Sequence, residues 1–100
     1  MDDCAAIEAA LAVFGRAWAA AVLQAMLSGA ERFSEIRREI PGVTDAVLSA
    51  RLRELCQGGL AERSVESGPP VMVRYRLTEA GRATKPVLAA LAEFGRRQRQ

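Results

Sequence analysis

Apolar positions along this chain recur at helical spacing in most stretches and alternate in two short ones. From Val43 to Gly59, VTDAVLSARLRELCQGG, the residues Val43, Leu48, Leu52 and Leu55 share one edge, and Asp45, Ala46, Ser49, Ala50 and Arg53 fall on the other. The spacing predicts a helix. Thr44 is placed to cap its first turn, with Val43 and Leu48 at the positions of a hydrophobic staple. Gly58 and Gly59 end it, because glycine accepts the left-handed conformation that a helix C-terminus favours. Upstream, Ile7, Leu11 and Phe14 line one face of an Ala-rich run from Cys4 to Phe14, and Trp18, Val22, Met26 and Leu27 resume the stripe. Two helices hinged near Gly15-Arg16 account for this, since Gly weakens a helix interior. Arg32-Phe33 reads as a short extended link. Ser34 then caps a helix, SEIRREI, with Phe33, Ile36 and Ile40 turned inward, and Pro41-Gly42 makes a turn into the helix that begins at Thr44.

Beyond Gly59 the period changes. Leu60 to Arg63 and Met72 to Leu77 alternate as strands do, with Val73, Tyr75 and Leu77 on one face and Met72, Arg74 and Arg76 on the other. ESGPP between them must be a turn, because proline has no N–H for a ladder. Thr78 is placed to cap a last helix, TEAGRATKPVLAALAEFGRRQRQ, which Pro86 should kink. Beyond the kink Val87, Leu88, Leu91 and Phe94 form a broad apolar face, and the basic tail is expected to fray.

Two short helices joined by a tight turn, the second opening with small residues, make a helix-turn-helix; the two strands that follow make a wing. The fold expected is mostly α with a small β-hairpin. It is a single winged helix-turn-helix domain over residues 1–100, with the helix-turn-helix at about 34–59 and the wing at about 60–77. A helix with small residues at its start can enter a major groove. Thr44, Asp45, Ser49, Ala50 and Arg53 are then the candidates for base edges, and Arg37, Arg38, Arg51, Arg74 and Arg76 for phosphates. A solvated charged face explains Arg37 and Arg38 equally well. The stripes of the first and last helices, at about 4–14 and 79–95, exceed what one small core needs. Ile7, Leu11, Phe14, Val87, Leu88, Leu91 and Phe94 are assigned to a dimer interface built from these two helices, with core packing as the alternative for the first stripe.

Composition narrows the function. One hundred residues, half of them hydrophobic, suit one domain. A chain of this size buries only about two-thirds of its surface, which favours a dimer. Net charge is +2 and the isoelectric point near 8.9, which permits nucleic-acid binding without requiring it. Between Glu31 and Arg63 six Arg face five Glu and one Asp, so a basic face there depends on arrangement. The absence of His removes the Ser–His and Cys–His nucleophile pairs and the commonest metal ligand. Two isolated cysteines, Cys4 and Cys56, give no zinc spacing, and no glycine-rich phosphate loop occurs. No enzyme, metal or cofactor is expected. Neither a membrane span nor a basic leader is visible, so the expected location is the cytoplasm, where both thiols stay reduced by default.

Several segments together resemble the HxlR-type family of bacterial winged-helix regulators, which is similar to the MarR group. They are Cys4-Ala5-Ala6-Ile7-Glu8 with Phe14-Gly15-Arg16-Ala17-Trp18; Arg32-Phe33-Ser34-Glu35-Ile36; Leu48-Ser49-Ala50-Arg51-Leu52-Arg53-Glu54-Leu55; Gly59-Leu60; and Tyr75-Arg76-Leu77-Thr78-Glu79-Ala80-Gly81. The resemblance covers Cys4 to about Gly95. It implies a homodimeric transcription regulator, a repressor in the reading preferred, bound to a pseudo-palindromic operator in double-stranded DNA. A two-fold dimer of this kind spaces its half-sites by roughly 34–36 Å. The chain departs from the family at Ala5 (usually Pro), at Arg16-Ala17 (usually Gly-Lys), at Asp45 and Ala46 (often long and polar) and at Val71-Met72 (commonly Arg).

The resemblance also implies a redox sensor at Cys4, since in some relatives the N-terminal cysteine meets oxidants or electrophiles. A small buried hydrophobe is the alternative for Cys4, and Cys56 reads as structural. A small-molecule pocket among Phe14, Trp18, Met26 and Phe94 is a further possibility for an effector. The competing reading of the whole chain is a winged-helix protein-interaction module that does not bind specific DNA.

Overall fold

A computed structural model describes residues 2–99. The elements run α1 (Asp3–Phe14), α2 (Ala19–Leu27), α3 (Phe33–Glu39), α4 (Asp45–Gln57), β1 (Ala61–Glu66), β2 (Met72–Leu77), α5 (Glu79–Arg82) and α6 (Lys85–Gln98). This is a mostly helical fold with one antiparallel two-stranded hairpin, a winged helix-turn-helix.

α2 is the element on which the rest packs. Val22 and Leu23 are fully buried, and Ala25 and Met26 nearly so, because apolar residues cover most of its circumference. Ile36 from α3 and Ile40 just after it, Leu48, Leu52 and Leu55 from α4, Ala61 from β1 and Leu88 from α6 close around it. The apolar stripe expected of α4 is therefore the stripe that is buried. Deleting a side chain such as Leu52 would cost about 2–5 kcal/mol.

Helix ends follow local chemistry, with three departures from the sequence reading. α1 and α2 are separate and meet at 78°, as expected. However, Gly15 keeps right-handed geometry, and the left-handed residue in the hinge is Trp18, at φ 71°. α3 is not capped by Ser34, which lies inside it. Arg32 precedes the helix, and the Glu35 carboxylate accepts the N–H groups of Arg32 at 3.0 Å and Glu31 at 3.1 Å. Those two bonds hold the Glu35 carboxyl below the usual glutamate range. Third, the C-terminal helix is broken rather than kinked. α5 ends at Arg82 and Pro86 falls in the first turn of α6, where its missing N–H leaves no intrahelical bond unmade. The tail is helical to Gln98, with Arg96 and Arg97 paired to Glu93; its last residue, Gln100, lies outside the described residues.

The two turns that define the helix-turn-helix behave as read. Gly42, at φ 95°, turns the chain between α3 and α4. Gly59, at φ 77°, ends α4 with the N–H of Leu60 bonded to the Leu55 carbonyl and its own N–H to that of Cys56, a Schellman closure. Among the described residues no single helix is long and apolar enough to cross a membrane.

Candidate nucleic-acid interface

α4 leaves the body at a fixed angle because both of its ends are tied. At its start, Thr44 Oγ1 accepts the Val47 N–H at 3.2 Å. At its far end, Thr78 Oγ1 donates to the Gly59 carbonyl at 2.6 Å, fastening the C-terminus of α4 to the end of the wing. Between these ties Thr44, Asp45, Ala46, Ser49 and Arg53 are exposed, and Ala50 is half-buried. The residues expected at base edges thus share the outward side of one helix.

The cations expected at phosphates are placed quite differently from one another. Arg38 is exposed on α3. Arg37 Nη1 donates to Asp45 Oδ1 at 2.8 Å, so α3 orients the acidic residue in the first turn of α4. Arg51 is not a free cation. Its side chain is 12% exposed, Nε donates to the Ala17 carbonyl at 2.9 Å, and Nη1 engages the Glu54 carboxylate. Glu54 also meets Arg16 at 3.3 Å, and the Arg51 bond holds its carboxyl below the usual range. The expectation that Arg51 meets phosphate is corrected on that geometry: Arg51 ties α4 to the α1–α2 hinge. The sequence missed this because Ala17 and Arg51 meet only in the fold.

The wing also departs from expectation. β1 runs to Glu66, beyond the expected end at Arg63, and pairs with β2 in the register Ala61↔Leu77, Arg63↔Tyr75, Val65↔Val73 on one face and Glu62↔Arg76, Ser64↔Arg74, Glu66↔Met72 on the other. The face of Arg74 and Arg76 was read as open. Instead Arg74 reaches Glu66 at 2.8 Å and Glu31 at 3.3 Å, and Arg76 reaches Glu31 at 3.1 Å. The Glu66 contact is the main reason that Arg74 holds its proton even more firmly than usual. Glu31 further accepts the Tyr75 N–H on its backbone carbonyl at 2.7 Å. The segment before α3 is thus stitched to the edge of the wing, and the two arginines are neutralised there.

The opposite wing face carries a cation, Arg63, which lies at the end of the expected first strand and has no role in the sequence reading. Arg63 stands across from Tyr75, and with Ser49, Arg53, Cys56 and Gln57 these residues line a cleft of about 330 Å³ between α4 and the hairpin. Burial raises the Cys56 thiol above its ordinary value, with Arg63 opposing, so it is a neutral wall at pH 7.

Away from α4, Ile7, Leu11, Val87, Leu91 and Phe94 are exposed, and no residue of α1 is buried. Phe14 is half-buried against the core. Leu88, 7% exposed, is a core residue, which corrects its placement in a subunit interface. Met26 is buried in the core, Trp18 is partly exposed and Phe94 is 63% exposed. Cys4 is exposed in the first turn of α1, beside the capping carboxylate of Asp2.

A helix held out from a small core by a capped turn, with a hairpin at its far end, is the winged helix-turn-helix arrangement found in MarR-like DNA-binding regulators. The model of the HxlR-like helix-turn-helix family matches residues 13–100, and the chain belongs to that family. The helix-turn-helix-type transcriptional regulator YvaP of Bacillus subtilis (strain 168) is 35% identical over 93 residues, which are 93% of this chain and 86% of that protein. Among solved structures, a MarR-family transcriptional regulator of Enterococcus faecalis V583 superposes with TM-score 0.86 at 31% identity, over 100% of this chain and 91% of the other. The redox regulator HypR in its reduced form gives 0.85 at 36% identity, over 94% and 93%. Diamide-treated YodB from B. subtilis gives 0.79 at 32% identity, over 97% and 94%.

Proposed function

We propose that the chain acts in the cytoplasm as a homodimer that binds a pseudo-palindromic operator and represses transcription. α4 enters the major groove, with Thr44, Asp45, Ser49 and Ala50 at base edges, and Arg38 lies over the adjacent phosphates. The observation that carries this reading is the exposed stripe of small and polar residues along α4, fixed at both ends and, among the described residues, covered by no other element. The bare apolar faces of α1 and α6 support the dimer.

Asp45 is unusual on a DNA-facing helix because carboxylates repel phosphate. Its bond to Arg37 offsets that charge and leaves an oxygen able to accept from cytosine N4. Selection of bound sequences from random duplexes tests the assignment. Enrichment of an inverted repeat spaced by about one helical turn is expected, and recovery of no sequence preference would return the chain to the interaction-module reading.

The regulator is also proposed to respond to oxidants or electrophiles through Cys4. HypR is a redox regulator solved in reduced and oxidised forms, and YodB has been solved reduced, diamide-treated and quinone-bound. Cys4 is exposed on the helix proposed to pair the subunits, so its modification would act on dimer geometry. Diamide should weaken operator binding by the wild type and leave Cys4→Ser unaffected; an equal response in both removes Cys4 from the mechanism.

A further inference from the structure

Four observations single out the cleft between α4 and the wing. The first is register. Arg63 sits directly across the ladder from Tyr75, on the wing face whose inner end, Ala61, is buried in the core. Directly opposed residues of an antiparallel pair stand about 4.5–5.5 Å apart at Cβ, so the guanidinium leaves the sheet beside the tyrosine ring and on the side of α4. The second is continuity. Ser49, Arg53, Cys56 and Gln57 follow one another at helical spacing and line the same cleft. Ser49 also belongs to the stripe proposed to face DNA, so the cleft prolongs that stripe toward the hairpin.

The third is charge. Among the described residues Arg53 and Arg63 enter no ion pair, whereas Arg74 and Arg76 on the other wing face are held by Glu31 and Glu66. No carboxylate lines the cleft, and its cysteine is a neutral thiol at pH 7. Two guanidiniums at one cleft without a counter-charge repel each other, and an anion seated between them removes that repulsion. The fourth is donor type. Guanidinium forks match phosphate oxygens, and the phenol and hydroxyl of Tyr75 and Ser49 are of the kind that commonly supplements them.

We propose that Arg53 and Arg63, with Tyr75 beside them, form a seat for one backbone phosphate of bound duplex DNA at the junction of α4 and the wing. The seat rests on the DNA-binding reading given above and refines it. It moves Arg53 from the base-reading role expected of it to a phosphate, and it gives the wing a DNA contact on the face opposite the arginines first expected to make one. The groove-facing residues of α4, Thr44 to Ala50, lie on the N-terminal side of Arg53, so the strand reaching this cleft is one leaving the groove that α4 fills.

The test measures affinity of the full chain for the selected operator and for a scrambled duplex over a range of salt. Wild type should show a steep negative slope of log affinity against log salt. Arg63→Ala and Arg53→Ala should each weaken operator and scrambled duplex by the same factor and reduce the slope for the bound dimer by up to roughly 1.8, about 0.9 for the one phosphate seated on each subunit. The double variant should lose no more slope than that, because both groups serve one phosphate. Arg63→Lys should keep the wild-type slope. Both arginines are exposed, so melting temperatures should stay at the wild-type value; Arg63→Gln gives the same readout should the Ala variant melt early. An unchanged slope in Arg63→Ala overturns the seat while wild-type binding stands. A changed ratio of operator to scrambled affinity in Arg53→Ala returns Arg53 to a base edge and also overturns it. Failure of the wild type to bind any duplex overturns the DNA-binding reading itself, and the seat with it.

Discussion

Single residues in this chain carry tasks that their identity alone does not disclose. Gly81 is one. It is buried in α5 against Leu60, in the link between α4 and β1, and a β-carbon there would stand 2.0 Å from the Leu60 carbonyl oxygen. That neighbour is backbone and cannot swing aside; only the Leu77 side chain, whose Cδ2 would stand 2.9 Å away, can yield. Gly81→Ala should therefore destabilise the fold by about 1–3 kcal/mol, as overpacking does. Each kcal/mol lowers the melting temperature of a domain this size by about 4–8 °C. A melt indistinguishable from wild type would mean that this contact is looser than drawn. Arg51 and Leu88 make the same point from the other side. Spacing showed which face of a helix each occupies, but not that Arg51 would find the Ala17 carbonyl across 34 residues of chain, nor that Leu88 would be the one member of its stripe to reach the core.

At the scale of elements, what could be read in advance was what local chemistry decides. The stripe Leu48-Leu52-Leu55, the Thr44 cap and the turns at Gly42 and Gly59 each follow from a few neighbouring residues, and each stands as read. The wing was readable in outline, since its strands alternate and its turn contains two prolines. Its electrostatics were not, because they depend on Glu31, far away in sequence. Alternation can place Arg74 and Arg76 on one face, but it cannot say that an acidic residue from the segment before α3 will lie against that face. The consequence is testable. Glu31→Gln keeps the size of the side chain and removes the charge shared by both guanidiniums, leaving Arg74 on Glu66 and releasing Arg76, so it should strengthen binding to generic duplex and steepen its salt dependence. Arg74→Ala in the wild-type background should change either little, because an already neutralised cation adds little attraction. Should Arg74→Ala cost as much affinity as Arg63→Ala, the wing arginines are not neutralised in the complex.

For the whole molecule the question is what covers α1 and α6. The chain is elongated, 48 × 34 × 21 Å, and Ile7, Leu11, Leu91 and Phe94 are 46–63% exposed on the two terminal helices. Large apolar side chains left bare at helical spacing on a helix face mark a place where another surface sits. A second copy is the partner that fits the function. One α4 reads a single groove, whereas two held by a rigid interface read a repeat, and the free energy of the second contact comes without a second loss of translational freedom. A stable dimer needs about 1,200–2,000 Å² of total buried surface. Leu11→Asp and Phe94→Asp put a charge where that surface would close, at positions that lie outside the core of the single chain. Sedimentation should find a dimer for the wild type and a monomer for each variant, with helical content and melting of the monomer fold preserved. Operator affinity should fall far more than affinity for a single half-site, since only the linkage between recognition helices is lost. A wild type that sediments as a monomer, or variants that remain dimeric, would mean that these stripes serve a different partner and that α4 reads its DNA alone.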